Sequence, residues 1–248
     1  MIEELKKELR TRKLHGWRIN EKKTQKIQRY LIRDQKETDL HADTAQYTLT
    51  VYVKAGSKIG EGCVSITDVN EIPQKISDAV VAAKHSLSPE YKLPEKKPVK
   101  KVKTADPYLL RVFSVGDQKN NLDLLEKQLR KTIKKEKKVR LASAELSLSL
   151  STSRIISSTG IDLTQDKTRV FCDLAVVGMH RGVERDFTPQ FSSTRFEDFR
   201  VEEFVKHSCA RARDAASAQK PIAFKGNVLI SEEALRDIFV PPVAPANP

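Results

Sequence analysis

Between Tyr47 and Lys54 the sequence alternates strictly, Tyr-Thr-Leu-Thr-Val-Tyr-Val-Lys, so Tyr47, Leu49, Val51 and Val53 fall on one face of an extended strand. A turn at Ala55-Gly-Ser-Lys58 and a second extended run from Ile59 to Thr67 complete a β-hairpin. The same period of two returns in Ala144-Glu-Leu-Ser-Leu-Ser-Leu-Ser-Thr152, with Leu146, Leu148 and Leu150 on one face and serines on the other. Arg154-Ile-Ile-Ser157 then leads to a turn at Ser158-Thr-Gly160, and Ile161 to Gly178 reads as a long returning strand. Hairpins with one apolar face need helices to cover that face, so the patterning predicts an α+β fold of antiparallel hairpins and mixed sheets packed by amphipathic helices.

Several segments supply such helices. Leu5 and Leu9, then Ile27, Tyr30 and Leu31, sit at helical spacing among charged residues, which predicts one broken or two helices over 2–33, with a break near Gly16 and Trp17 as an anchor. Pro73 opens a segment in which Ile72, Ile76, Val80, Ala83 and Leu87 recur at three and four. Asn120 or Asn121 can cap a helix striped by Leu122, Leu125, Leu129 and Ile133, whose last turn is rich in lysine. Val201, Phe204, Val205 and Ala212 mark a long helix within Phe196–Ala218, ahead of Pro221. His180 to Phe191 is read as a loop or an edge strand, Asn227–Ile230 as a short strand, and Ser231–Phe239 as a short helix capped by serine.

Residues 88–107 differ from all of these, with four prolines, six lysines and little to bury. Proline and like charge keep such a segment extended, so it is expected to be a solvated strap. This divides the chain into a helix, hairpin and helix portion at 1–90, a Lys/Pro-rich linker at 91–107, a second α+β portion at 108–239 and a proline-rich tail at 240–248.

Chemistry is sparse. The glycines of Gly56-Ser-Lys-Ile-Gly-Glu-Gly62 fit neither a P-loop nor a dinucleotide fingerprint and suit a hairpin turn. His207 and Cys209 are two apart and diverge on a helix, and no HExxH occurs. The serines at 147, 149, 151 and 153 lie in no G-x-S-x-G elbow. Cys63, Cys172 and Cys209 make no even framework, and no apolar run approaches a bilayer span, so a cytoplasmic chain is expected. With 45 Lys+Arg against 33 Asp+Glu the net charge is +12, which permits nucleic-acid binding without requiring it. The candidate contacts would be Lys127, Arg130, Lys131, Lys134 and Lys135, one face of the third helix.

The run Ile156-Ser-Ser-Thr-Gly-Ile-Asp-Leu-Thr-Gln-Asp-Lys-Thr-Arg-Val-Phe171 resembles the TldD/PmbA family, whose members carry an Asn/Ser-Ser-x-Gly-hydrophobic-Asp turn between two strands. The hairpin Val51–Ile66 followed by Ala79-Val-Val-Ala-Ala83 is similar to that family's N-terminal strand pair and helix. Ala210–Ala218, Lys220-Pro221 and Gly226-Asn-Val-Leu-Ile-Ser-Glu-Glu-Ala-Leu235 are similar to the approach to its second half. The resemblance implies a subunit of a cytoplasmic, zinc-dependent peptidase system, formerly described as modulators of DNA gyrase, that pairs a catalytic TldD-type chain with a PmbA-type chain lacking the metal.

Catalytic members continue into HExxxH, and the matching place here is Phe239-Val-Pro-Pro-Val243, where two prolines cannot sit inside a helix and no His or Glu is offered. The resemblance therefore implies the N-terminal half of a non-catalytic, PmbA-like member, a fragment or split product that is inactive alone and has no catalytic, metal or cofactor residue of its own. Zinc is expected only in a TldD-type partner. Such a chain would pair with that subunit or with itself as an oligomer, bind an extended peptide at an exposed strand edge, and contact no membrane. The competing reading is a basic module associated with nucleic acid or gyrase, and a third is a zinc enzyme completed by another polypeptide. Ile230, Leu235 and Phe239 are expected to be partly exposed.

Overall fold

The computed structural model describes residues 1–33, 35–100, 102–220, 222–223, 225–230 and 235. Residues 1–217 form one compact unit. Its centre is a single eight-stranded sheet built from β1 (Gly16–Ile32), β2 (Gln35–Ala55), β3 (Lys58–Ile66), β4 (Leu87–Pro89), β5 (Val139–Ser157), β6 (Asp162–His180), β7 (Val183–Phe187) and β8 (Gln190–Ser193). The order is β4-β3-β2-β1-β5-β6-β7, with β8 also paired to β6, and every pairing among the described strands is antiparallel. The two expected hairpins are thus joined edge to edge by β1, which pairs with β2 along one side and β5 along the other.

Five helices share one face of this sheet. On β1 the buried apolar residues are Ile19, Ile27 and Leu31, all odd-numbered and so on the same side of the pleat. Ile19 belongs to a cluster with Leu49, Val51, Ile66 and Ile156 beneath α1 (Ile2–Arg10) and α2 (Ile72–His85). Ile27 and Leu31 belong to a second cluster, with Leu146, Leu148, Val170 and Cys172, beneath α3 (Pro107–Ser114), α4 (Gln118–Lys135) and α5 (Val201–Ser217). Each fully buried Leu or Ile stabilises the fold by about 2 kcal/mol. The helices therefore occupy the two ends of the sheet and leave a saddle between them.

The glycine-rich stretch has a packing role. A Cβ on Gly60 would stand 1.8 Å from the Ala83 carbonyl oxygen, and one on Gly62 1.8 Å from that of Ala79. Only a bare backbone lets α2 lie this close to β3. Residues 90–106 form neither helix nor strand where described. They are strapped to the sheet at both ends: Glu90 pairs with Lys54 at 2.6 Å, the Thr159 hydroxyl donates to the Pro94 carbonyl at 2.5 Å, and the Thr104 hydroxyl donates to the Asp166 carbonyl at 2.5 Å.

Four expectations need correction. Residues 16–32 are a strand, because Ile27 and Leu31, four apart, satisfy a period of two as well as 3.6, and buried Arg29 between them hid the alternation. Helix α4 begins at Gln118, before both asparagines; Asn121 lies buried inside it, donating to the Asp117 carbonyl and accepting from the Tyr108 hydroxyl. Leu87 leaves α2 for β4; His180–Phe191, read as a loop or an edge strand, holds the edge strand β7 and the start of β8.

The fourth lies in the second unit, residues 218–248, where Asn227–Ile230 forms no strand. There Ile230 and Leu235 are exposed, at 40% and 38%. Phe239, the proline-rich tail and all of the Ser231–Phe239 helix except Leu235 fall outside the described residues.

Candidate functional site

Strand β2 outruns its neighbour. β3 pairs with it only from Tyr47 to Ala55, whereas β1 pairs with it down to Gln35. Along residues 35–46 one side of β2 is hydrogen-bonded to β1, and the other has no strand partner among the described residues. Most of these residues are exposed. Each amide and carbonyl on that side still needs a partner, and no proline interrupts the row. The comparable stretch of β6, residues 162–169, is occupied in part by the strap: Thr104 reaches Asp166, and the Asp106 amide donates to the Thr168 hydroxyl at 2.8 Å.

The register gives the middle of the sheet two unlike faces. On the helix side, between the two cores, lie Glu21, Asp43, Asp162 and Asp166 with Lys23 and Arg154. Arg154 clasps Asp162 through Nε and Nη2, both at 2.8 Å, and this guanidinium holds the Asp162 carboxyl below its ordinary value. The Thr152 hydroxyl donates to Asp166 at 2.6 Å. On the other side, which no helix among the described residues covers, the serines of β5 stand between β1 and β6, with Arg18, Lys22, Lys26, Lys167 and Arg169 around them and Glu145 and Asp173 at one end.

Arg29 fixes the position of the far part of the β1–β2 hairpin, where β2 has outrun β3. Its side chain is 1% exposed and donates from Nε and Nη2 to the two Asp39 oxygens at 2.7 and 2.8 Å. Nη1 meets Asp123 at 2.5 Å and Glu126 at 3.0 Å, both on α4. The guanidinium holds Asp39 down to about 2, with Lys36 assisting. Sequence reasoning missed this lock. The available signal was the spacing Ile27-x-Arg29-x-Leu31, three alternate positions on one side of a strand.

The five cations singled out on α4 are divided by the structure. Arg130 is committed to Glu126 at 2.7 Å and reaches the Arg33 carbonyl. Lys127, Lys131 and Lys134 border a shallow groove of about 530 Å³ that they share with Asp123 and Glu126. Lys131 and Lys135 also line a groove of about 580 Å³ between α4 and α5, opposite Glu202, Glu203, Arg200 and Lys206. Glu202 lies below the usual carboxylate range, chiefly through Lys206 and also through Lys135 and Lys131. Acidic residues thus interrupt what would be a phosphate-binding stripe.

Among the described residues no three His, Cys, Asp or Glu side chains converge to hold a metal. Cys209 is fully buried, burial pushes its thiol up to about 11, and His207 on the same helix is exposed. Cys172 is raised further by the same cause. No helix among the described residues is long and apolar enough to cross a membrane.

Residues 111–216, from α3 through α5, match the family described as the PmbA/TldA metallopeptidase central domain. No curated protein matches the chain. Among solved structures the fold is similar to TldE from Thermococcus kodakarensis, with a TM-score of 0.65 and 18% identity over 86% of this chain and 47% of that one. It is also similar to a candidate modulator of a DNA gyrase from Thermotoga maritima, with a TM-score of 0.71 and 14% identity over 90% of this chain and 50% of that one. A third, a candidate modulator of DNA gyrase from Bacteroides thetaiotaomicron, gives 0.68 and 11% over 89% and 50%. The chain spans about half the length of these structures. At such identities they show the fold alone, and the family rests on the central-domain match together with the Ser-Thr-Gly-Ile-Asp turn at 158–162 that joins β5 to β6. Residues 111–216 of this chain thus correspond to the PmbA/TldA metallopeptidase central domain.

Proposed function

We propose that this chain acts as a non-catalytic, PmbA-like subunit of a cytoplasmic TldD/PmbA-type metallopeptidase system, assembling with a TldD-type subunit and presenting extended peptide to it. The observation that carries this reading is the unpaired side of β2 over residues 35–46. An extended peptide laid there gains main-chain hydrogen bonds whatever its side chains are, which suits substrates of varied sequence. The central-domain match supports the family part of the reading.

The described residues do not fit zinc: Glu21, Asp162 and Asp166 of the saddle are tied to Lys23, Arg154 and Thr152, and no three His, Cys, Asp or Glu side chains converge among the described residues. This chain's contribution is therefore binding and orientation, and hydrolysis belongs to the partner. The test is casein-fragment hydrolysis by the chain alone, by a TldD-type partner alone and by their mixture. Cleavage that appears or rises only in the mixture and is lost on chelation supports the reading; cleavage by this chain alone overturns it.

A further inference from the structure

The middle of the uncovered face carries cations and no carboxylate, and the carboxylates Glu145 and Asp173 stand in the row beside Tyr30. Five successive rows run across β2, β1, β5 and β6: Leu40, Gln28, Ser147 and Phe171; then Ala42, Lys26, Ser149 and Arg169; then Thr44, Thr24, Ser151 and Lys167; then Gln46, Lys22, Ser153 and Gln165; then Thr48, Asn20, Ile155 and Leu163. No Asp or Glu occurs in them. Lys22, Lys167 and Arg169 have no carboxylate within ion-pair distance among the described residues, and Lys26 meets Glu145 only at 3.7 Å. Within the same span of these strands Glu21, Asp43, Asp162 and Asp166 lie on the opposite side, and Glu145 and Asp173 lie just beyond the five rows, next to the row of Gln28 and Phe171.

This face is continuous with the free side of β2. Resting on the reading of that edge as a peptide site, we infer that the substrate class is acidic: extended peptides with Asp or Glu on alternate residues, drawn in by Lys22, Lys26, Lys167 and Arg169. A peptide added beside β2 turns every second side chain onto the cationic face, where the neighbouring β2 residues, Leu40, Ala42, Thr44 and Gln46, are uncharged and raise no opposing field. The cations lie one and three strands further in, too far for tight ion pairs, so their effect is on encounter: a field of one sign raises the association rate and is screened by salt. The hydroxyls of Thr24, Thr44, Ser149 and Ser151 leave the surface wet, so affinity itself comes from the strand edge. A nucleic acid is less well served. It gains nothing from an open amide row, and Phe171, the aromatic ring within these rows, lies under the Arg169 guanidinium at 4.7 Å.

The experiment uses the full chain and three extended Val/Thr peptides of equal length whose alternate residues are Glu, Gln or Lys. Association rates are read by stopped flow at low salt and at 0.5 M salt, and protection of the residue 35–46 amides by hydrogen exchange. The expected result is protection by the Glu peptide, with association about 10-fold faster than the Gln peptide at low salt. That advantage disappears in 0.5 M salt and in the K22Q/K26Q/K167Q/R169Q variant, and is kept in K22R/K26R/K167R, which shows that charge and not fold is read. Equal rates for the three peptides, with β2 still protected, overturn the acidic preference and leave the edge intact. No protection of β2 by any peptide overturns the edge reading and this inference with it. A single-stranded oligonucleotide of matched charge that binds through the same cations, where the Glu peptide does not, overturns it in favour of nucleic acid.

Discussion

Arg29 on β1 and Asp39 on β2 face each other across the hairpin in a two-pronged ion pair at 2.7 and 2.8 Å, and the same guanidinium reaches Asp123 and Glu126 on α4. One buried cation thus ties the far part of the β1–β2 arm to the helical layer. Buried ion pairs offer little net stability over apolar packing, yet removing one partner costs about 3–5 kcal/mol because a charge is left behind. Arg29 therefore sets the position of the arm more than it adds to stability.

The pair makes stability depend on acid pH. Asp39 is held at about 2 in the folded protein against 3.8 for the free side chain, so it binds its proton more weakly when folded. Its contribution is fully present above pH ~4 and is lost as pH falls toward ~2, amounting to about 2 kcal/mol. Denaturant unfolding from pH 6 to pH 2 is expected to show this loss, and Asp39→Asn to lower stability at pH 6 while flattening the acid slope.

The close approach of α2 to β3 sets a second expectation. Gly62→Ala places a methyl where the Ala79 carbonyl already stands, forcing the helix away from the sheet. Overpacking of this kind costs about 1–3 kcal/mol. The denaturation midpoint is expected to fall with the slope unchanged. An unaltered midpoint would mean that α2 does not pack on Gly62 as described.

Two buried thiols give a third. Cys172 and Cys209 are fully buried with raised pKa values, while Cys63 is exposed. Native protein is expected to react with a thiol reagent at Cys63 alone, and the other two are expected to react only with unfolding, because the reactive species is the exposed thiolate.

Much of the fold was legible because its strands alternate. Tyr47–Val53 and Leu146–Leu150 fixed two hairpins, and the stripe from Leu122 to Ile133 fixed α4. β1 was misread because its exposed middle, Lys22 to Lys26, offers no apolar alternation, and because Arg29 occupies a core position where a charge argues against burial. Nor could the free side of β2 be seen in sequence, since it follows from β3 being shorter than β2, a relation between strands and not a property of either. The cations of the uncovered face come from β1 and β6, well over a hundred positions apart, and meet only through β5.

The division of the α4 cations yields a fourth expectation. If Lys127, Lys131, Lys134 and Lys135 bound phosphates, replacing all four with Gln would abolish duplex DNA binding and its salt dependence. With Asp123, Glu126, Glu202 and Glu203 set among them, the substitution is expected to change affinity less than twofold at 0.15 M salt, as read by fluorescence anisotropy. A loss of tenfold or more would favour the nucleic-acid reading.

The central claim is that the outer side of β2 between Gln35 and Gln46 takes an extended peptide. In an antiparallel pair, alternate residues of β2 point their amides to β1 and away from it, so a proline scan over Ala42–Ala45 separates the two sets. The most direct measurement is residue-resolved hydrogen exchange of the full chain with and without an unfolded peptide. The account predicts that the outward-pointing amides of residues 35–46 exchange fast in the free chain, slow on peptide addition, and fail to slow in those proline variants that keep the fold. Protection confined to the α4–α5 groove, or none at β2 while peptide is bound, would contradict it.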